Sequence, residues 1–245
     1  MKDTPVPGPR HFATTHWSLV DAAKAGKVSP TRAREALEAL CRAYWYPLYA
    51  FVRSRGVSAQ DAQDLTQAFF ARIIETGGFA AADRERGRFR SYLLGAMKHF
   101  LANEWHRAQT QKRGGQVRFI EFDALDPEAR YAGASAPSDD PEHLFGREWA
   151  LQTVAGTLQA LRDEMAKAGK SDLFEALKGS LTGRDELPRD QIAAQLNMSE
   201  GTVKVAVHRL RRRYRQLLRD TVAQTVGNEA DLDDEMRYLV AVLRK

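Results

Sequence analysis

Between Ser199 and Asp220 the chain carries seven cations (Lys204, Arg209, Arg211, Arg212, Arg213, Arg215, Arg219) against two acids, a local net charge of +5. Three polar residues, Ser199, Glu200 and Thr202, stand at the head of this run. Polar groups followed by cations along one helix suit the reading of base edges and the holding of phosphates. A second concentration runs from Arg84 to Arg113, with eight Lys/Arg against two acids, a net of +6, and aromatic residues interleaved. Cations alternating with rings suit a single nucleic-acid strand, whose backbone is anionic and whose bases stack. Catalytic patterns are missing. His11, His16, His99, His106, His143 and His208 are scattered; His99 and His106, at i and i+7, have no Cys or carboxylate at ligand spacing beside them. There is no P-loop, no G-x-G-x-x-G and no nucleophile elbow. Neither an enzyme nor a metal or other cofactor is expected.

The first cluster needs a rigid carrier, and residues 187–213, LPRDQIAAQLNMSEGTVKVAVHRLRRR, have the pattern of one. Ile192, Leu196 and Met198, then Val203 and Val207, form two apolar faces at helical spacing with a polar turn between them. Ala193 is small where two such helices cross, Asn197 stands where the turn needs a left-handed residue, and Ser199 is suited to cap the second helix near Thr202. The spacing predicts a helix-turn-helix with Val203, Val207 and Leu210 turned inward.

Periodicity predicts the other elements. Residues 1–10, MKDTPVPGPR, are Pro-rich and charged and should be disordered, with a short helix opening at Thr14 or Thr15. Ser29-Pro30 starts a helix that leads into AYWYPLYAFV, which should be core and be kinked or split at Pro47. A helix over Ala59–Glu75, after the Gly56 break and closed by Gly77-Gly78, turns Ala62, Leu65, Phe69 and Ile73 inward and leaves Phe70 partly off that stripe. A third, Phe89–Gln109, has Tyr92 and Trp105 on its apolar side, as core more than as stacking platforms. Arg84, Arg86, Arg88 and Arg90 ahead of it either track phosphates or keep a loop soluble.

Gln116–Phe145 then turns acidic, seven acids against two Arg, with a Gly/Ala/Ser/Pro-rich middle that reads as a linker. Trp149, Val154, Leu158 and Leu161 share one face of the next helix, and Gly183 ends DLFEALKGSL before the helix-turn-helix. After Gly227-Asn228, ADLDDEMRYLVAVLRK is amphipathic, acids first and bases last, as a helix dipole prefers. The expected fold is all-α: a disordered N-terminus (1–10), a helical domain with an N-terminal extension (11–113), a flexible acidic linker (114–145), a helix-turn-helix domain (146–220) and a C-terminal helical extension (221–245).

Totals set the surroundings. Of 245 residues 37 are Lys/Arg and 32 Asp/Glu, so the net charge of +5 is modest and its uneven distribution is what suggests nucleic acid. The single cysteine, Cys41, precludes an intramolecular disulfide and fits a reducing compartment, where it should be a small buried core residue. The longest uncharged apolar run, Ala43–Val52, is far short of a membrane span, and a soluble cytoplasmic protein is expected.

Three stretches together resemble a known family: DAQDLTQAFFARIIE (61–75), FRSYLLGAMKHFLANEWHR (89–107) and QIAAQLNMSEGTVKVAVHRLRRR (191–213). Their order and spacing, over about residues 40–218, resemble bacterial RNA polymerase sigma factors of the sigma-70 family, in particular the extracytoplasmic-function group that has only domains two and four. The resemblance implies that the chain binds core RNA polymerase and directs it to promoter DNA. Residues 11–113 would be the region 2-like bundle and 146–220 the region 4-like helix-turn-helix. Asp64, Gln67, Phe70 and Arg72 would dock on the clamp helices of the polymerase's largest subunit, Phe70 as an exposed aromatic anchor; Ala68 stands where relatives usually carry Glu. Lys98, His99, Asn103, His106 and Arg107 would melt the −10 element and capture a flipped base. Ser199, Glu200, Thr202, Lys204, Val205 and His208 would meet bases or sugar of the −35 element, and Arg209, Arg211 and Arg212 its phosphates. About five phosphate contacts would make log affinity fall with log salt at a slope of about −4 to −5. The linker would thread the polymerase near the nascent RNA. Residues 221–245 would extend a core or pack on domain four and restrain it, in place of a separate anti-sigma protein.

A different class of function also fits residues 187–213: a free-standing transcription regulator that binds duplex DNA without polymerase and uses its N-terminal half to sense or dimerise. Tight specific binding by the chain alone would distinguish it.

Overall fold

The computed structural model describes residues 29–76, 88–110, 127–133, 140–182 and 188–244. Every regular element among them is helical: α1 (Pro30–Arg53), α2 (Ala59–Thr76), α3 (Phe89–Thr110), α4 (Pro127–Gly133), α5 (Pro141–Lys167), α6 (Ser171–Leu177), α7 (Gly179–Thr182), α8 (Arg189–Gln195), α9 (Glu200–Ala223) and α10 (Glu229–Leu243). None of these helices is long and apolar enough to cross a membrane. The fold divides into two compact units, residues 1–151 with 223–245 and residues 152–222. The expected helix at Thr14 or Thr15, Gly77-Gly78, Arg84, Arg86, Gly183 and most of the linker lie outside the described residues.

In the first unit, the Ser29 hydroxyl accepts the Arg32 amide at 3.4 Å and Pro30 occupies the first turn, so α1 starts where a cap followed by proline predicts. Pro47 does not split it. The helix runs on to Arg53 because Tyr44 through Val52 are buried throughout, and burial of such a run outweighs one missing hydrogen bond. Gly56, at φ +82°, supplies the left-handed turn that ends this segment. Ser58 then caps α2, accepting the Asp61 amide at 3.1 Å and donating to its carboxylate at 2.6 Å. The core is aromatic: Tyr44 meets Phe89 edge-on at 5.3 Å, Phe69 meets Phe100 at 5.7 Å, and Trp45 stacks on Tyr49 at 5.4 Å.

One expectation about this unit is overturned. Residues 127–133, assigned to the linker, are the helix α4, held on α1 by charge. Glu128 accepts Arg53 Nε at 2.9 Å and Nη2 at 2.6 Å, and the Tyr49 hydroxyl at 2.6 Å, which lowers its carboxyl to about 2. Arg130 lies 3.5 Å over the Tyr46 ring and donates to Glu148 at 3.0 Å. Seven residues with two charges and a proline are too few to show a period, which is why composition alone suggested a linker.

The C-terminal helix α10 extends the core of the first unit, one of the two outcomes expected for it, and buries Leu232, Glu235, Leu239 and Val242. Its Glu235 accepts Arg90 Nε at 2.8 Å and Nη2 at 3.3 Å, Asp234 accepts Arg88 at 3.1 Å, and the Arg90 guanidinium lies 3.8 Å over the Tyr238 ring. Arg88 and Arg90 are thus both paired with carboxylates of α10.

The second unit has its own core. Leu161 of α5, Phe174 and Leu177 of α6, Ile192 and Ala193 of α8, and Val203 and Leu210 of α9 are buried together, with Leu158, Leu196 and Val207 packed at the edge. Its α5 segment ends in a Schellman turn: Gly169, at φ +68°, donates to Ala166 O, and Lys170 donates to Met165 O, both at 2.9 Å.

Candidate nucleic-acid interface

The local chemistry of residues 188–223 forms the turn that the sequence predicts. Asn197 has φ 51°, the left-handed conformation, and it is the single non-glycine among the described residues at positive φ. Its amide donates to Ala194 O at 3.2 Å and the Met198 amide to Ala193 O at 2.9 Å, the two bonds that close a Schellman motif after α8. Ser199 follows as the cap of α9: its hydroxyl accepts the Thr202 amide at 3.2 Å and lies 2.8 Å from the Thr202 hydroxyl. Two residues thus end one helix and begin the next, with Ala193 buried at the crossing and Val203 and Leu210 anchoring α9.

The opposite side of α9 faces solvent. Lys204, Val205, His208, Arg209, Arg212 and Arg215 are exposed and fall within an arc of about 140° at 3.6 residues per turn. Ser199, Glu200 and Thr202 are exposed at the head of the helix. Val205 is 49% exposed, an apolar side chain amid polar neighbours and the kind of group that meets a thymine methyl.

Not every cation counted in the sequence stands on this arc. Arg211 is half-buried, its Nε and Nη2 donating to Ser180 O at 3.0 and 2.8 Å, so it braces α9 against α7. Arg213 forms a two-pronged pair with Glu164, the closest contact 2.7 Å, which lowers the glutamate's carboxyl below the usual range. Arg219 also interacts within the chain. Four cations remain turned outward on the arc, Lys204, Arg209, Arg212 and Arg215, where about five phosphate contacts were expected.

In the first unit, α3 turns a second polar face outward. His99, Asn103, His106 and Arg107 are exposed, and the first three lie within about 60° of one another on the helix. Lys98 is paired with Glu142 and Arg107 with Glu104 at 2.9 Å. Trp105 departs from expectation: it is 41% exposed, with the Arg55 guanidinium 5.2 Å from its ring centre. It was assigned to the core because it continues the spacing of Met97 and Leu101. The buried stripe ends at Leu101, however, and Trp105 extends past it to meet Arg55. Tyr92 is half-buried.

The α2 face requires the largest correction. Phe70, expected as an exposed anchor, is 1% exposed and packs edge-on to Phe69 at 5.6 Å. Gln67 is 9% exposed, and its Oε1 has no hydrogen-bond partner among the described residues. The helix is covered over a wider sector than the single stripe Ala62–Leu65–Phe69–Ile73, since Thr66 and Phe70 are buried while Leu65 is only half-buried. Asp64 and Arg72 remain half-buried at the rim, Asp64 accepting from Gln60 at 3.3 Å and Arg72 lying 3.9 Å from Glu104. Cys41 is buried as expected, and burial raises its thiol to about 12, so it is not a nucleophile at neutral pH.

No protein-family model, no curated protein and no solved structure matches this chain.

Proposed function

We propose that the chain is a sigma-70-type initiation factor of the two-domain, extracytoplasmic-function kind, which binds core RNA polymerase and brings it to promoter DNA. The observation that supports this reading is the presence in one chain of two unlike polar faces, each of a chemistry that suits nucleic acid. One is a capped helix-turn-helix with an outward cationic arc. The other is a helix that turns His99, Asn103, His106 and Arg107 to solvent beside an exposed Trp105. The first suits duplex readout at a −35 element: Ser199, Glu200, Thr202, Val205 and His208 face the bases or sugar, and Lys204, Arg209, Arg212 and Arg215 hold phosphates. The second suits a melted −10 strand, with Trp105 as the stacking platform and His99 and Asn103 one turn apart to hydrogen-bond an extruded base. Core polymerase would meet the rim of α2 through Asp64 and Arg72, and the protein would act in the cytoplasm, with or without an anti-sigma partner. No enzymatic step or cofactor enters this mechanism.

The burial of Phe70 and Gln67 favours a second reading, because it removes the aromatic anchor from the surface that polymerase would meet. In that reading the chain is a free-standing regulator and the second unit alone binds duplex DNA. Co-precipitation with bacterial core RNA polymerase separates the two. The initiation-factor reading expects the wild type to be retained, Asp64→Arg to be lost from the complex, and Arg212→Ala to be retained but defective in promoter binding. A wild type that binds duplex DNA and never core polymerase overturns it in favour of the regulator.

A further inference from the structure

On the outward side of α9, Gly201, Val205, His208 and Arg212 follow one another at i, i+4, i+7 and i+11, a single ridge opposite the buried Val203 and Leu210. All four are exposed, and the ridge begins on a residue without a side chain. The described fold gives no reason for that glycine. Its backbone is ordinary right-handed helix; the described glycines at positive φ are Gly56 and Gly169. A Cβ built at position 201 would meet, beyond its own turn of helix and among the described residues, just Ser199 Oγ at 3.8 Å, an ordinary contact. A glycine inside a helix costs stability relative to alanine, because more backbone freedom is lost on folding. The next residue on the ridge supplies a reason for it. Side chains on a helix lean over the turn on their N-terminal side, so the isopropyl group of Val205, 49% exposed, leans toward the bare main chain of Gly201. Main chain as floor and isopropyl as wall make an apolar notch on the scale of a methyl group, open to solvent. On the base edges of the major groove, the apolar group that fits it is the 5-methyl of thymine.

We propose that Gly201 and Val205 form a thymine-methyl notch, in which the methyl of a thymine in duplex DNA rests on the main chain of Gly201 against the Val205 side chain. Gly201 determines the specificity: a Cβ there would occupy the notch and lift the base edge by about 1.5 Å, the length of a carbon–carbon bond. The inference rests on the reading of α9 as a duplex-binding helix, which the initiation factor and the free-standing regulator share.

The full chain is first used to select a duplex from a pool of random sequence at about 50 mM salt, where phosphate contacts bind strongly. Each thymidine of the selected duplex is then replaced in turn by deoxyuridine, which removes the methyl and leaves the hydrogen-bonding edge unchanged. For the wild type, one such replacement should weaken binding about fourfold, as burial of one methyl-sized group predicts. Gly201→Ala should bind the thymidine duplex at least about fourfold more weakly and be indifferent to that replacement, with a melting temperature at or above the wild type's. Val205→Ala should lose the same discrimination. Gly156→Ala, at an exposed helical glycine of α5 whose Cβ would likewise have open space, should match the wild type in DNA binding. A wild type indifferent to every deoxyuridine overturns the proposal, and so does a Gly201→Ala variant that keeps the discrimination or melts at a lower temperature. If the wild type's affinity for the duplex also shows no dependence on salt, α9 is not the binding face and the reading beneath the notch falls with it. A steep salt slope without methyl discrimination removes only the notch.

Discussion

The four outward cations of α9 make a quantitative claim on its DNA affinity. The sequence run from Ser199 to Asp220 holds seven Lys/Arg, but Arg211 is bonded to Ser180 O, Arg213 is paired with Glu164, and Arg219 interacts within the chain. Four phosphate contacts at about 0.9 each predict a slope of about −3.6 for log affinity against log salt on duplex DNA. Affinity then falls about 150-fold between about 50 and 200 mM salt, whereas seven contacts would give a slope near −6.3 and a fall of about 6,000-fold. Fluorescence anisotropy with a labelled duplex over that range measures the slope directly. Arg212→Ala should flatten it by about 0.9, and Arg213→Ala should leave it unchanged while lowering the melting temperature slightly, because a half-exposed pair contributes at most about 1 kcal/mol. Equal flattening by both substitutions would refute the distinction between outward and engaged cations. A wild-type slope near zero would refute α9 as the binding face.

The same reasoning assigns opposite roles to two aromatic residues and gives testable costs to two polar ones. Phe70→Ala should cost about 3–5 kcal/mol in chemical denaturation, as expected for a fully buried ring, with any loss of polymerase binding following from that instability. Trp105→Ala should leave the denaturation midpoint nearly unchanged and weaken single-strand binding by about 1–3 kcal/mol in titration with oligo-dT. Asn197→Val should destabilise the second unit by about 1–2 kcal/mol, because a β-branched residue strains at φ 51°, and Asn197→Gly should be close to neutral. Glu128, lowered from an ordinary value of 4.5 to about 2 by Arg53 and then Tyr49, stabilises the docked α4 at every pH above about 4.5. That contribution is lost as pH falls from about 4.5 through about 2, and urea melts of Glu128→Gln should lack this component of the acid dependence.

Legibility in the sequence followed the range of the interaction. Local chemistry was readable to the residue: the Ser29 and Ser199 caps, the left-handed Asn197, and the helices α2 and α3 to within a residue at their ends all depend on neighbours in the chain. The inner face of α9 was readable because Val203 and Leu210 repeat at helical spacing. Burial on α2 was read too narrowly, since a single stripe describes a helix covered from one side and α2 buries Thr66 and Phe70 as well. Trp105 continued an apolar spacing beyond the point where the core that justified it had ended. The ion pairs Arg90–Glu235 and Arg53–Glu128 join positions 145 and 75 residues apart, and no pattern in either segment announces its partner. For the same reason, charge counts overstated how many cations remain available on a surface.

The return of residues 223–245 to the first unit reverses the order in which the two units can mature. During synthesis, every residue of the 152–222 unit emerges before Leu232, Glu235, Leu239 and Val242 are made, so the later segment can fold first. Arg90, nine-tenths buried in the finished unit, is left without its carboxylate until then, and Trp149 without the Tyr238 ring that packs 6.3 Å from it. The nascent first unit therefore passes through a stage in which its cationic, aromatic edge is open to chaperones and to RNA, and completion of the C-terminal helix closes it.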